Sequence, residues 1–81
     1  MLEVRPVKYE RIRNLREDRD LTQKQIGEAI NVPQRTYAYY ESGERMIPPH
    51  ILEALANFHN TSIDYLVGLT DDTNPHTRKP T

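Results

Sequence analysis

Apolar residues recur at helical spacing along most of the chain, and strand-like alternation is nearly absent. In the first stretch, Tyr9, Ile12 and Leu15 are three residues apart and stand among charged neighbours. This spacing is typical of an amphipathic helix with a narrow apolar stripe. The stripe is interrupted over residues 18–20, so the pattern predicts that the first helix ends there.

The second helix has a specific start signal. Thr22 as the N-cap with Gln25 three residues later fits a capping box, in which each side chain binds the other residue's N–H. Leu21 before the cap and Ile26 at the fourth helical position fit a hydrophobic staple. Asn31 tolerates the left-handed backbone of a tight turn, so we expect the helix to end there.

Prolines and glycines mark the third helix. Pro33 can occupy its first position, where the missing N–H costs nothing. The helix is predicted to run to about Ser42, and Gly43 supplies the C-terminal stop.

Two further helices are predicted after this stop. Pro48-Pro49 opens the fourth, which ends at Asn60 and has an apolar side formed by Ile51, Leu52, Leu55, Ala56 and Phe58. Ser62 caps a short fifth helix that Gly68 closes. From Thr70 onward no apolar residue follows, so we predict a helical domain over residues 1–70 and a flexible polar tail or linker stub over 71–81.

Composition limits the function classes. With 81 residues there is room for one domain, and with no cysteine there is no disulfide scaffold or thiolate metal site. No apolar run approaches the ~20 residues that span a bilayer. The start lacks a signal-peptide core, which predicts a cytoplasmic protein. The three histidines, His50, His59 and His76, lack metal-ligand spacing, and no catalytic set is visible, so we predict no metal, no cofactor and no enzyme.

The third helix has two unlike faces. At 100° per residue, one arc holds the mostly bulky Pro33, Thr36, Tyr37 and Tyr40, and the other holds Gln34, Arg35, Ala38, Tyr39 and Ser42. Gln can pair with adenine and Arg with guanine in the major groove. A capped helix and a short turn before such a helix form a helix-turn-helix arrangement. An ordinary solvated face carries the same residue types, and the net charge of -1 weighs against a nucleic-acid partner, so both interpretations stay open.

An ordered series of motifs resembles the phage-repressor-like (lambda repressor/Cro-like, XRE-type) helix-turn-helix family of bacterial transcriptional regulators. The series covers roughly residues 8–70 and comprises Arg16-Glu17, Leu21-Thr22-Gln23, Ile26-Gly27, Asn31-Val32, Gln34-Arg35-Thr36-Tyr37, Tyr40-Glu41, Gly43, Pro48, Ile51 to Leu55 and Ser62 to Gly68. The resemblance implies an all-α fold, a compact five-helix bundle of the lambda-repressor-like DNA-binding type, with the helix-turn-helix formed by helices 2 and 3.

The resemblance also implies roles for individual residues. Gln34, Arg35 and Tyr39 match positions that read DNA bases. The matching DNA-backbone positions are Gln23, Lys24, Ser42 and Arg45. Arg16 and Glu41 match a pair that ties helix 1 to helix 3, which we expect to be a partly buried, structural ion pair.

The chain departs from the family pattern at several of these positions. Gly27 stands where the family often has alanine, and Pro33 where a capping serine or threonine is common. His59 and Thr61 stand where bulky apolar residues are usual, which predicts looser packing between helices 4 and 5. Tyr39 is larger than many residues at its position, so the operator preference does not transfer from relatives.

The resemblance favours a repressor that binds double-stranded operator DNA as a homodimer on inverted half-sites. We expect the dimer contact on helices 4 and 5, around Ile63, Tyr65 and Leu69. The arginines of helix 1 alternate with acids and are interpreted first as a solvated face, although Lys8 and Arg11 are candidates for approaching the DNA backbone. Two alternatives remain: the antitoxin of a toxin–antitoxin pair, with a protein partner, and a protein-interaction module that keeps the fold without binding DNA.

Overall fold

Five helices follow one another in the order that the sequence predicts. A computed structural model describes residues 9–75, and it contains α1 (Glu10–Asp18), α2 (Gln23–Ile30), α3 (Gln34–Ser42), α4 (Pro49–Phe58) and α5 (Ile63–Leu66). Within this range there is no strand, which confirms the all-α class. Residues 1–8 and 76–81, which include the predicted start of the domain, Lys8, His76 and most of the predicted tail, lie outside the described residues.

Local signals set the ends of α2 as predicted. The Thr22 hydroxyl accepts from the Gln25 N–H at 3.1 Å, and the Gln25 side chain accepts from the Thr22 N–H at 2.8 Å. At the other end, Asn31 has a φ of 62° and closes the helix in the left-handed region. The predicted capping box and C-terminal stop are therefore confirmed.

The start of α3 and the end of α4 differ from the prediction. Pro33 has a ψ of 147°, so it is the extended N-cap, exposed to solvent, and not the first helical residue on the inner arc. Gln34 begins the helix instead. Helix α4 begins with Pro48 as N-cap and Pro49 at the first position, and it ends at Phe58, before Asn60, whose φ is 54°. Each of these helix ends therefore lies one or two residues from its predicted position. The backbone dihedrals that set a helix end belong to the predicted end residue or to its close neighbours.

The core draws one fully buried side chain from each of the first four helices. Ile12, Ile26, Tyr37 and Leu55 all have 0% exposure. Around them lie Tyr9, Ile30, Tyr40, Ile47, Ile51, Ala56 and Leu66, all buried. No helix within residues 9–75 is long and apolar enough to cross a membrane.

The corner between α4 and α5 buries both polar residues that were expected to loosen it. His59 and Thr61 are each 6% exposed, and the Phe58 ring meets His59 edge-on, with 5.0 Å between the ring centroids. Neither imidazole nitrogen of His59, nor the Thr61 hydroxyl, has a hydrogen-bond partner within residues 9–75. His59 and Thr61 are thus buried although they are polar. Their burial lowers the stability of the fold, because polar atoms of both side chains lack hydrogen bonds.

Gly27 lets α2 approach the chain that leads into α3. A Cβ at this position would lie 2.8 Å from the backbone oxygen of Val32. The same Val32 donates its N–H to the Gly27 oxygen at 2.8 Å, which holds it in place. A side chain at residue 27 would therefore meet backbone that has little freedom to move.

We expect Gly27→Val to lower the free energy of unfolding by about 1–3 kcal/mol, since overpacking displaces neighbouring backbone. Urea denaturation followed by circular dichroism measures this change. Ala29→Val, on an exposed part of the same helix, is the matched control because it adds a β-branched side chain without the contact to Val32. Equal stabilities of the two variants would contradict the packing role of Gly27.

Candidate nucleic-acid interface

Helix α3 separates an inner from an outer face as its sequence predicts. Tyr37 and Tyr40 are buried, with 0% and 7% exposure. Gln34 and Arg35 are exposed in the first turn, Tyr39 is half-buried, and Ser42 is exposed in the last turn. The two inner tyrosines are therefore core residues, and the outer face is free within the described domain to meet a partner.

Helices α2 and α3 pack against each other across a turn of three residues, 31–33. The left-handed Asn31 reverses the chain, and the Val32 N–H returns to the Gly27 oxygen. This is the geometry of a helix-turn-helix, with α3 as its second helix. Gln23 and Lys24 occupy the first two positions of α2, where the backbone N–H groups have no acceptor within the helix.

A buried ion pair joins α1 to α3. Arg16 Nε donates to Glu41 Oε2 at 2.6 Å, and Arg16 Nη2 donates to Glu41 Oε1 at 3.1 Å. The two side chains are 13% and 5% exposed. Arg16 also donates to the Leu21 carbonyl at 2.8 Å. The predicted pairing of Arg16 and Glu41 is present as a two-point contact, which is the strong geometry for these groups.

The electrostatics of this pair favour its charged form. Burial by itself raises the pKa of Glu41, but hydrogen bonds from Arg16 and Gln23, together with the positive charge of Arg16, outweigh burial and hold that pKa below its usual value. The hydrogen bond to Glu41 raises the pKa of Arg16. Burial, and the nearby Glu41 carboxylate, raise the pKa of the Tyr37 hydroxyl, which keeps that side chain neutral.

Gln23 belongs to the same cluster. Its Nε2 donates to Glu41 Oε1 at 3.2 Å, so the side chain that the sequence assigns to a phosphate also ties the start of α2 to the end of α3. A glutamine amide has two N–H donors, and one of them is used here. Sequence reasoning missed this contact because Gln23 and Glu41 are eighteen positions apart and no local pattern links them.

Residues after α3 are held against its last turn. The Ser42 hydroxyl lies 3.0 Å from Glu44 Oε1 and 3.1 Å from the Tyr39 carbonyl, so its single proton has two intramolecular acceptors. The Arg45 guanidinium lies 5.2 Å from the centroid of the Tyr39 ring. The candidate backbone contacts Ser42 and Arg45 therefore lie beside the candidate base contact Tyr39, at one end of the outer face.

Arg11 faces the segment after α5. Its guanidinium donates to the carbonyl oxygens of Tyr65 and Thr70, it pairs with Asp71 at 2.6 Å, and it lies 4.3 Å from the Tyr65 ring centroid. The structure thus gives Arg11 intramolecular partners, and its suggested approach to DNA stays a prediction. Elsewhere on α1, Arg13 and Glu17 form an exposed ion pair at 3.4 Å, in line with the solvated face predicted there.

Metal-binding side chains are not grouped in this part of the molecule. Residues 9–75 contain no set of three histidine, aspartate or glutamate side chains that could hold a metal ion.

Comparisons with known proteins place the segment that contains α1 to α5 in one family. The family model described as helix-turn-helix matches residues 12–66. The chain is 38% identical over 66 residues to the uncharacterized HTH-type transcriptional regulator YobD of Bacillus subtilis (strain 168), which covers 82% of this chain. It is 39% identical over 57 residues to the cryptic phage CTXphi transcriptional repressor RstR of Vibrio cholerae, which covers 70% of this chain.

The matches span only part of these relatives. They cover 59% of the length of YobD and 51% of the length of RstR. No solved structure matches the chain significantly.

Proposed function

The chain belongs to the helix-turn-helix family, and from this premise we propose that it is a sequence-specific DNA-binding transcriptional regulator that represses by occupying operator DNA. The observation that carries the proposal is the outer face of α3, where Gln34 and Arg35 are exposed in the first turn of the second helix of the motif. The names of the relatives, a transcriptional regulator and a transcriptional repressor, support the same conclusion.

The outer face of α3 would fit the major groove as helices in general do. A helix with its side chains is about 10–12 Å across, close to the ~12 Å width of the groove. Gln34 would pair with adenine and Arg35 with guanine O6 and N7, since both side chains offer two-point hydrogen bonding. Ala38 lies in the chain between Arg35 and Tyr39 and is partly buried. Its small side chain would allow the helix to approach the base edges.

The flanking contacts would fix the position of α3 on the duplex. Gln23 and Lys24 stand at the start of α2, where the helix dipole and first-turn N–H groups favour a phosphate. Ser42 and Arg45 stand at the other end of α3 and would contact the backbone there. Contacts of this kind set register without reading sequence.

A dimer is the proposed binding form because the chain has a net charge of only -1, which limits the electrostatic affinity of one domain. Two domains would occupy inverted half-sites about one helical turn, ~34 Å, apart. Leu69, at 77% exposure, and Val67, at 38%, leave apolar surface next to the half-buried Ile63 and Tyr65 on α5. A strict monomer on operator DNA, measured by sedimentation, would contradict this part of the proposal.

The base-reading role predicts a specific loss. Using sites selected from random double-stranded DNA, we expect Arg35→Ala and Gln34→Ala each to weaken binding to the selected site by about 1–3 kcal/mol, since each removes one two-point base contact. Fluorescence anisotropy measures the affinity. Binding to unrelated DNA should change much less, so the ratio of the two affinities falls.

Arg13→Ala is the matched control, because it removes an arginine from the exposed face of α1 and should leave that ratio unchanged. Undiminished discrimination by Arg35→Ala and Gln34→Ala would contradict groove reading by α3. It would favour a protein-interaction role for the same fold.

A further inference from the structure

Arg45 is tied to Tyr39 twice. The Arg45 N–H donates to the Tyr39 carbonyl at 3.3 Å, and the Arg45 guanidinium lies 5.2 Å from the centroid of the Tyr39 ring. Gly43 makes this return possible, since its φ of 82° turns the chain back at the end of α3. Backbone and side chain thus hold the arginine over the ring.

We infer that Tyr39 is a positioning residue whose ring holds Arg45 ready to bind a DNA phosphate. The inference rests on the proposed function. It differs from the expected base contact of Tyr39, because Tyr39 would then act through Arg45 and not by reading bases. Tyr39 is half-buried and anchored in the helix, whereas Arg45 is exposed in the loop that follows.

A guanidinium held 5.2 Å from the ring centroid is close enough to stack on the ring, and stacking would suit this role. Its five N–H donors lie in the plane of the group, so stacking the face on a ring leaves the edges available for phosphate oxygens. An unstacked arginine on a loop would lose more rotamer freedom when it binds. A ring that restricts the side chain before binding lowers this entropic cost, which is the effect of preorganisation.

The inference predicts a sequence-independent effect. A phosphate contact contributes to every duplex alike, whereas a base contact contributes only at its preferred base. A residue that acts through Arg45 should therefore affect selected and unrelated DNA by the same factor, and it should lose its effect when Arg45 is absent.

A double-mutant cycle tests this on selected and unrelated duplexes, with affinities measured by anisotropy over a range of salt concentrations. We expect Tyr39→Leu to weaken binding to both duplexes by about two- to tenfold, the cost of immobilising one rotamer-rich side chain on binding. Tyr39→Phe keeps the ring and should bind like the unmodified chain. In an Arg45→Ala background, Tyr39→Leu should have no further effect, and Arg45→Ala should reduce the salt slope by about one.

Several results would overturn the inference. Additive losses in the cycle would show that Tyr39 acts independently of Arg45. A loss confined to the selected site would make Tyr39 a base-reading residue, and an equal loss in Tyr39→Phe would show that its hydroxyl acts and not its ring. Circular dichroism melting of each variant separates these effects from unfolding.

A measurement without DNA distinguishes failure of this inference from failure of the proposed function. In the free domain, the ring current of Tyr39 should shift the Arg45 side-chain protons upfield in NMR spectra, in the unmodified chain and in Tyr39→Phe but not in Tyr39→Leu. Absence of this shift overturns the stacking. Presence of the shift in a chain that binds no DNA would overturn the proposed function instead, and with it the role at a phosphate.

Discussion

Glu41→Gln should lower the free energy of unfolding by about 3–5 kcal/mol, the cost of leaving one member of a buried ion pair without its opposite charge. The substitution keeps the size of the side chain, so cavity formation contributes little. The Arg16 guanidinium would remain 13% exposed and would lose its carboxylate partner at 2.6 Å. Urea denaturation followed by circular dichroism measures the change.

The chain provides a matched control for this prediction. Glu17→Gln removes the same charge from the exposed Arg13–Glu17 pair, whose side chains are 62% and 51% exposed. We expect a change of less than about 0.5 kcal/mol there, because solvent screens the interaction. Similar losses in the two variants would contradict a special contribution from burial.

Removing both charges of the buried pair should restore much of the lost stability. In Arg16→Met with Glu41→Leu, no uncompensated charge remains between α1 and α3, and apolar replacements of buried pairs are often neutral or stabilising. A double variant as unstable as Glu41→Gln would indicate that the hydrogen bonds to Leu21 and Gln23, and not the charge pair, provide the stability.

The Arg16–Glu41 pair predicts a loss of stability in acid, at a pH below the usual pKa of a carboxyl group. The pKa of Glu41 is lower in the folded chain than its ordinary value of 4.5. Its contribution to stability is therefore complete above about pH 4.5 and is lost as the pH falls through the folded-state pKa. Glu41→Gln should remove this component of the acid transition.

His59 should make the protein less stable as the pH is lowered, in a higher pH range than the one in which Glu41 acts. Burial, and to a smaller extent the charge of Arg19, lowers the pKa of His59 to about 4, from an ordinary value of 6.5. Between these values the unfolded chain binds a proton that the folded chain does not, so stability is lost as the pH falls from 6.5 toward 4. The full difference is about 3 kcal/mol, of which about 2 kcal/mol is lost between pH 7 and pH 5.

Chemical denaturation at pH 7, 6 and 5 measures this slope. His59→Leu should be flatter over this range, and more stable at pH 5, because it buries an apolar side chain where the imidazole leaves both nitrogens without partners in the described chain. His50→Leu changes an exposed histidine of α4 and should leave the slope as it is. An unchanged slope in His59→Leu would show that another group titrates in this window.

The features that the sequence predicted well depend on neighbours in the chain. The capping box needs only Thr22 and Gln25, three positions apart, and the stops at Asn31 and Gly43 need only residues that accept a positive φ. The inward direction of Tyr37 and Tyr40 follows from helical periodicity. The pairing of Arg16 with Glu41 came from the family resemblance, since no local pattern joins positions 25 residues apart.

Other features had no sequence signal that could predict them. Arg11 contacts Tyr65, Thr70 and Asp71, more than fifty positions away. His59 is polar, yet it is buried at 6% exposure. Each of these outcomes depends on which surfaces the helices bring together, and that information lies in no single stretch of the chain.

By itself the sequence determined five helices, their approximate ends and the outward face of α3, because hydrogen bonding and hydrophobic periodicity act over a few residues. Only the tertiary structure decided that Gln23 joins the buried ion pair, that Arg45 lies over Tyr39, and that His59 is enclosed. The physical reason is that these contacts depend on the angles and distances between packed helices. The packing of the whole core sets these angles and distances together, and the order of residues along the chain indicates them only indirectly.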